Sequence, residues 1–236
     1  MWEEEVVVVV LSVSMFAKGK IYVGTNAEFP PFEYLEDGKP VGFDMELIEE
    51  MGKVMGEDVK IVDMAFDGLL PALQMKKVDL VIAGMTATPE RLKTVAFSNP
   101  YYTASQVIIV KKGQEGNIKS FDDLKNKKVG VMLGFTGDVV VSEIVDVDVN
   151  RYNAAYAGIM ALNTGKIDAV VLDSEPAKNF VAQNPELVIA DVNGAQEEYA
   201  IATRKNDNAL IEKLNSAMKT LKENGTYDKL IQKYFK

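Results

Sequence analysis

From Lys20 onward the apolar and polar positions switch between two periods. The run "KIYVGTN" (20–26) is short and rich in β-branched residues, and it reads as a buried strand. "GFDMELIEEMGKVMG" (42–56) places Met45, Leu47, Ile48 and Met51 on one face at helical spacing. A second strand follows in "VKIVDMAF" (59–66), a short helix in "DGLLPALQMKK" (67–77) and a third strand in "VDLVIAGMT" (78–86). Alternation of strand and helix predicts an α/β protein, with a largely parallel sheet covered by helices on both faces.

The pattern then repeats. "ALQMKKVDLV" (72–81) and "ALNTGKIDAV" (161–170) align without gaps, each joining a helix end to a strand that opens on Lys, a β-branched residue and Asp. "KIYVGTN" likewise matches "KVGVMLG" (128–134). A period of this size is too long for a solenoid repeat, so the echo predicts two lobes, each with its own βαβαβ core. A chain of 236 residues has the length for two such cores. The closing stretch "NALIEKLNSAMKTLKENGTYDKLIQKYFK" (208–236) reads as two helices. Asn224–Gly225 forms the stop and Thr226 the next cap. Leu210, Leu214, Met218 and Leu221 share one face, which predicts core packing rather than a membrane-surface helix.

The first residues break this pattern. Val6 to Ala17 form an apolar stretch too short to span a bilayer. It has the length of a signal-peptide core, yet three glutamates stand where positive charge belongs. Residues 1–19 are therefore expected to be a leader remnant or an appended segment, with an extra β-strand as the competing reading, because five consecutive valines favour β structure.

Composition narrows the chemistry. A net charge of −9 argues against nucleic acid as a partner. The chain has no Cys and no His, which removes thiol and imidazole catalysis, disulfides and the commonest transition-metal ligands. No D-x-D-x-D-G calcium loop is present, so no metal and no cofactor is expected. In parallel α/β lobes, ligands bind beyond the carboxyl ends of the strands. "TNAEFPPFEY", "AGMT" and "LDSEP" lie there, and the echo sets Gly84 opposite Asp173: a bare backbone in one lobe and a carboxylate in the other. Thr88 and Pro89 suit the cap and first position of a helix, which puts Arg91 in its first turn. A cation there opposes the helix dipole by a few tenths of a kcal/mol, and a carboxylate gripped by Arg91 and nearby donors reverses the sign. The competing reading of Arg91 is a solvated surface side chain. A second anion site is expected at "LGFTGDVVVSE" (133–143), where the N–H groups of Thr136 and Gly137 open a helix. Phe29 and Phe66 follow strands and divide evenly between ligand contact and core; Phe32 reads as core.

The segments "VGTNAEFPPFEY…GKPVGFDMEL", "FDGLLPALQMKKVDLVIAGMTATPERLKTVAFSNPYY", "SFDDLKNKKVGVMLGFTG", "GKIDAVVLDSEPA" and "LKENGTYDKLIQKYF" resemble the polar amino-acid binding proteins of bacterial ABC transporters, in order from about Lys20 to Lys236. The resemblance implies a type II periplasmic-binding-protein fold: two mostly parallel lobes joined by a two-strand hinge that close on one amino acid. Lobe 1 is expected at 20–102 plus 200–236, and lobe 2 at 103–199, with crossings near Tyr102–Ser105 and Glu198–Ala200. By the same resemblance, Arg91 grips the α-carboxylate with help from Thr86, Thr136 and Gly137. Asp173 and the Gly84 carbonyl take the α-ammonium. Phe29 and Phe66 flank the side chain, and Asn26, Glu28, Met85 and Leu133 complete the pocket. The implied partner is an ABC permease, the location the periplasm or outer cell surface, and the state a monomer.

Specificity is expected to favour arginine or glutamine. Glutamine-specific relatives commonly carry Asp at the Asn26 position and Lys at the Leu133 position, and this chain has neither. A neutral Asn26 suits an amide or a broad polar pocket, whereas Glu28, turned inward, would supply charge for a cationic ligand. The main rival is an enzyme resembling cyclohexadienyl dehydratases. It needs a positioned acid, and those relatives tend to carry Glu where Asp173 stands. Glutamate-receptor cores, the third class, carry transmembrane inserts, and no apolar run of that length occurs here.

Overall fold

The computed structural model describes residues 19–192 and 194–235. The expectations for residues 1–18 lie outside the described residues. Gly19 opens the first strand, β1 (Gly19–Thr25). A small antiparallel sheet follows from β2 (Glu28–Phe29), β3 (Glu33–Glu36) and β4 (Lys39–Val41). Then come α1 (Phe43–Met55), β5 (Glu57–Asp63), α2 (Phe66–Gln74), β6 (Leu80–Val81), the short α3 (Pro89–Leu92) and β7 (Val95–Phe97). The long β8 (Tyr102–Lys111) leads into the second sheet. There the chain runs through β9 (Lys128–Met132), α4 (Thr136–Ser142), β10 (Asp148–Tyr152), α5 (Ala155–Asn163), β11 (Ala169–Asp173), α6 (Ser174–Gln183) and β12 (Leu187–Ile189). It returns by β13 (Gln196–Tyr199) to β14 (Ala202–Arg204), α7 (Asn208–Glu223) and α8 (Thr226–Tyr234).

Strand order carries the internal echo into three dimensions. The first sheet runs β5-β1-β6-β14-β7, and the second β10-β9-β11-β8-β12 with β13 paired to β8. In each, the parallel trio is built the same way, and β6 and β11 take the same outer place. Each sheet then adds antiparallel pairings, β14 in the first and β8 in the second. The sheets are thus more mixed than strand–helix alternation alone predicts. The added strands are the ones that carry the chain between sheets, and a returning strand arrives in the opposite sense. The two crossings lie side by side, with Tyr102↔Tyr199 and Ser105↔Gln196 as the ends of one antiparallel ladder.

The amphipathic helices bury the faces their spacing dictates. Met45, Leu47, Ile48 and Met51 of α1 are buried. So are Leu214, Ala217, Met218 and Leu221 of α7, which settles that face as core packing. One cap differs from expectation. Gly225, in the left-handed region at φ 77, is the N-cap of α8, and Thr226 is its first residue, donating its N–H to Asn224 Oδ1 at 2.9 Å. Gly225 thereby ends one helix and opens the next, leaving no cap position for a threonine side chain. Among the described residues, no helix is long and apolar enough to cross a membrane, and no group of acidic residues suits a metal ion.

Candidate functional site

Arg91 enters the site from a single helical turn. Thr88 is the N-cap, its Oγ1 accepting the Arg91 N–H at 3.2 Å, and Pro89 occupies the first position. The guanidinium then reaches back, with Nη1 donating to the Thr86 carbonyl at 2.7 Å. Its Nη2 donates across the cleft to the Gly134 carbonyl at 3.0 Å. The Phe66 ring lies beneath it, 5.3 Å from the guanidinium carbon, within cation–π range. Burial lowers its pKa to about 10, against the opposing pull of Glu197 and Asp173, so the group stays charged at neutral pH. Arg91 is therefore a half-buried cation rather than a solvated one.

Asp173 stands at the opposite pole. It ends β11 and is the N-cap residue of α6, yet its side chain makes no capping bond. A capping carboxylate is worth about 1 kcal/mol, and here the oxygens are turned to other donors. Tyr199 Oη donates to Oδ2, and the Gln106 amide donates to Oδ1. Burial, reinforced by the Glu197 charge, raises the Asp173 pKa to about 7, although both hydrogen bonds and Arg91 pull it down.

Between these poles runs a chain of hydrogen bonds that links both sheets. Gln106 Nε2 also donates to Thr136 Oγ1 at 3.2 Å. The Thr136 hydroxyl donates to Glu197 Oε2 at 2.6 Å, and the Thr86 hydroxyl donates to the same oxygen at 2.7 Å. The carboxylates fix every proton direction, because an ionised oxygen only accepts. The amide of Gln106 must therefore face Asp173 and Thr136, which leaves its buried Oε1 without a partner. Thr86 and Thr136 were expected to serve a ligand carboxylate; here both hydroxyl protons are committed to Glu197. Thr136 and Gly137 do begin α4, so their N–H groups are among those a helix leaves unpaired. Gly137 also has a packing reason: a Cβ there would come within 2.9 Å of Gln106 Oε1 and 3.3 Å of Val171.

The aromatic floor contains one ring that sequence reasoning missed. Phe29 and Phe66 are both buried, and Phe135 lies against each, at 5.1 Å and 3.8 Å between ring centres. The sequence directs attention to the backbone donors of this loop and away from Phe135, whose signal is a bulky aromatic between two small turn residues, Gly134 and Thr136. Phe32 is core, as expected. Gly84 takes a left-handed conformation at φ 52, and a Cβ would sit 3.0 Å from the Phe29 ring. Its N–H donates to buried Asp44 at 3.0 Å, and Tyr101 Oη donates to the same oxygen at 2.6 Å. Burial raises Asp44 to about 6, and Glu33 beside it is pushed well above the carboxylate range by burial and by Asp44.

The remaining expected residues divide. Asn26 is buried, donates Nδ2 to the Met64 carbonyl at 3.0 Å, and leaves Oδ1 without a partner. Glu28 is half-buried, its pKa raised by burial and by Asp63. Met85 is fully buried, with its carbonyl accepting from the Ala200 N–H at 3.0 Å. Leu133 is only half-buried, and the neighbouring Met132 is the side chain packed into the cluster that holds Phe29, Phe66 and Phe135. Gln106, Glu197 and Tyr199 were also missed. They lie on the crossing strands, which were read as hinge and not as lining. A cleft of about 970 Å³ opens beside Thr86, Thr136 and Glu197, with Glu90, Glu143 and Glu198 along it.

A two-lobed α/β receptor with a cation at one pole of its cleft and a carboxylate at the other is a class of solute-binding protein, and the comparisons agree. The chain belongs to the bacterial extracellular solute-binding proteins, family 3, whose model matches residues 21–236. It is 38% identical over 227 residues to the arginine-binding extracellular protein ArtP of Bacillus subtilis, covering 92% of this chain and 87% of that protein. Among solved structures it is similar to an ancestral arginine-binding protein bound to arginine, at 44% identity and a TM-score of 0.89, covering 93% of this chain and 99% of that one. An ancestral arginine-binding protein bound to glutamine matches at 45% identity and a TM-score of 0.88, covering 93% of this chain and 99% of that one.

Proposed function

We propose that this protein captures an L-amino acid with a polar side chain, arginine or glutamine, between its lobes and delivers it to the permease of an ABC transporter at the outer face of the cell envelope. The observation that carries the reading is the pairing of Arg91 with Asp173 across the cleft, each held in place by neutral donors or carbonyls rather than by a salt bridge to the other. Arg91 receives the α-carboxylate, for which a planar guanidinium offers a two-point contact. Asp173 receives the α-ammonium, and the charge on that ligand favours the ionised carboxylate. Asn26 Oδ1, a buried acceptor without a donor, suits the N–H groups of an amide or a guanidinium, and Glu28 adds negative charge on the same side.

The two ligand charges are gripped from different lobes, so a ligand biases the hinge toward the closed state. Lobe 1 is 20–102 with 200–236 and lobe 2 is 103–199, and the β8–β13 ladder forms the hinge. The relatives support an amino-acid ligand, since they are arginine-binding proteins, the ancestral ones solved with arginine or with glutamine bound. Calorimetry on protein unfolded and refolded to strip ligand tests the reading, with the twenty L-amino acids and prephenate as titrants. Binding of arginine or glutamine with a smaller radius of gyration by scattering is the expected result. Binding and turnover of prephenate alone would replace the receptor with a dehydratase.

A further inference from the structure

We propose that Glu197 is a specificity-determining residue that leaves the cleft one negative charge in excess, and so selects an amino acid of net charge +1 over a neutral one. The inference rests on the receptor reading above and deepens it. Glu197 is buried, and both its recorded hydrogen bonds come from neutral hydroxyls, Thr86 of one sheet region and Thr136 of the other. No Lys or Arg among the described residues forms an ion pair with it. With a ligand's ammonium holding Asp173 ionised, the charged groups of this hydrogen-bonded network, to which Glu28 does not belong, are Arg91 against Asp173 and Glu197: one cation and two carboxylates.

A zwitterion with a neutral side chain supplies one charge to each pole and leaves the imbalance in place. A ligand whose side chain is also cationic cancels it. Glu197 makes this choice without touching the side chain, because a unit charge acts over several ångströms in a site screened from water. Across a protein cleft that interaction is worth roughly a factor of ten to thirty in affinity. It is separate from Glu28, which lies on β2 and shares no hydrogen bond with Glu197. The groups that face the Glu197–Asp173 pair are Arg91 from α3, Tyr199 from β13 and, more distantly, Glu33 from β3.

The test compares wild type, Glu197→Gln and Glu197→Asp, refolded free of ligand and checked for equal thermal midpoints, by calorimetry with L-arginine and with L-glutamine. Glu197→Gln is expected to lower the arginine-to-glutamine affinity ratio by about tenfold, while Glu197→Asp, which keeps the charge on a shorter arm, stays within about threefold of wild type. Glutamine affinity in Glu197→Gln should also persist to lower pH, since Glu197 no longer opposes ionisation of Asp173. A ratio unchanged in Glu197→Gln overturns the proposal. Equal loss of the ratio in both variants overturns it too, because the threonine hydroxyls and not the charge would then set selectivity. Failure of wild type to bind either ligand strikes the receptor reading itself, a result distinct from an unchanged ratio.

Discussion

The strand ends at Gly84 and Asp173 occupy equivalent places in two copies of one scaffold, and they do opposite things. Helix α2 and helix α5 have equal lengths at the same offset, and β6 and β11 fill the same third position, beside β1 and β9. Three residues beyond β6 the chain turns through Gly84 at positive φ, where a Cβ would crowd the Phe29 ring at 3.0 Å. Its charge comes later, from Arg91 on a turn whose cap, Thr88, performs an ordinary structural task. In the second sheet the last residue of β11 is both the cap position and the charged residue, and its side chain forgoes capping for Tyr199 and Gln106. The scaffold repeats through the helix and the strand and diverges at their aligned carboxyl ends, at the last residue of β11 and three residues past β6.

Exchanging the charge at the second strand end should do the most damage to this contrast. Asp173→Asn removes the ammonium partner and is expected to abolish detectable amino-acid binding in calorimetry while the unliganded protein still unfolds cooperatively; retained tight binding would remove Asp173 from the ammonium pole. Arg91→Ala strikes the first lobe and should cost about 2–5 kcal/mol of affinity, as truncating one partner of a desolvated charge pair does. An unchanged dissociation constant would return Arg91 to a structural role.

Acid sharpens the contrast without mutation. The Asp173 carboxyl is raised to about 7, so between the ordinary carboxylate range and that pH the native protein holds a proton the unfolded chain has lost. Unliganded stability therefore falls as pH rises through this window, and Asp44, raised to about 6, adds the same sign. Ligand affinity runs the other way, falling about tenfold per unit below pH 7. Thermal scans and titrations from pH 5 to 8 should show the two trends crossing, and parallel trends would contradict the assignment. Smallest is Gly84→Ala, which places a Cβ at positive φ against Phe29 and should cost about 1–2 kcal/mol of stability with only a few-fold change in affinity. A loss of binding as large as that of Arg91→Ala would instead make the Gly84 turn part of the grip.

Much of the scaffold was legible because it is written in periods. The gapless match of 72–81 with 161–170 carries both the helix ends and the strands that follow, and Thr88–Pro89 spells out a helix start that the fold adopts. The placements of Arg91 in a helix's first turn and of Asp173 at a strand end were legible from the cap residues and the internal echo. Glu197 and Gln106 were not, since a polar residue on an alternating strand looks the same whether it faces water or a neighbour brought from 61 residues away.

The paired crossings also decide how fast such a molecule could work. Two strands bound side by side from Tyr102↔Tyr199 to Ser105↔Gln196 resist twist and shear, and leave bending about one line as the soft coordinate. Under the closure proposed above, the two poles meet by searching an angle rather than a volume. Little orientational freedom is left to lose at closure, and the step belongs to the microsecond-to-millisecond range of hinge motions. At micromolar ligand, diffusion to the open cleft is the slower event, so the receptor's capture rate is set by its surroundings and its release rate by the hydrogen bonds that must part along that single angle.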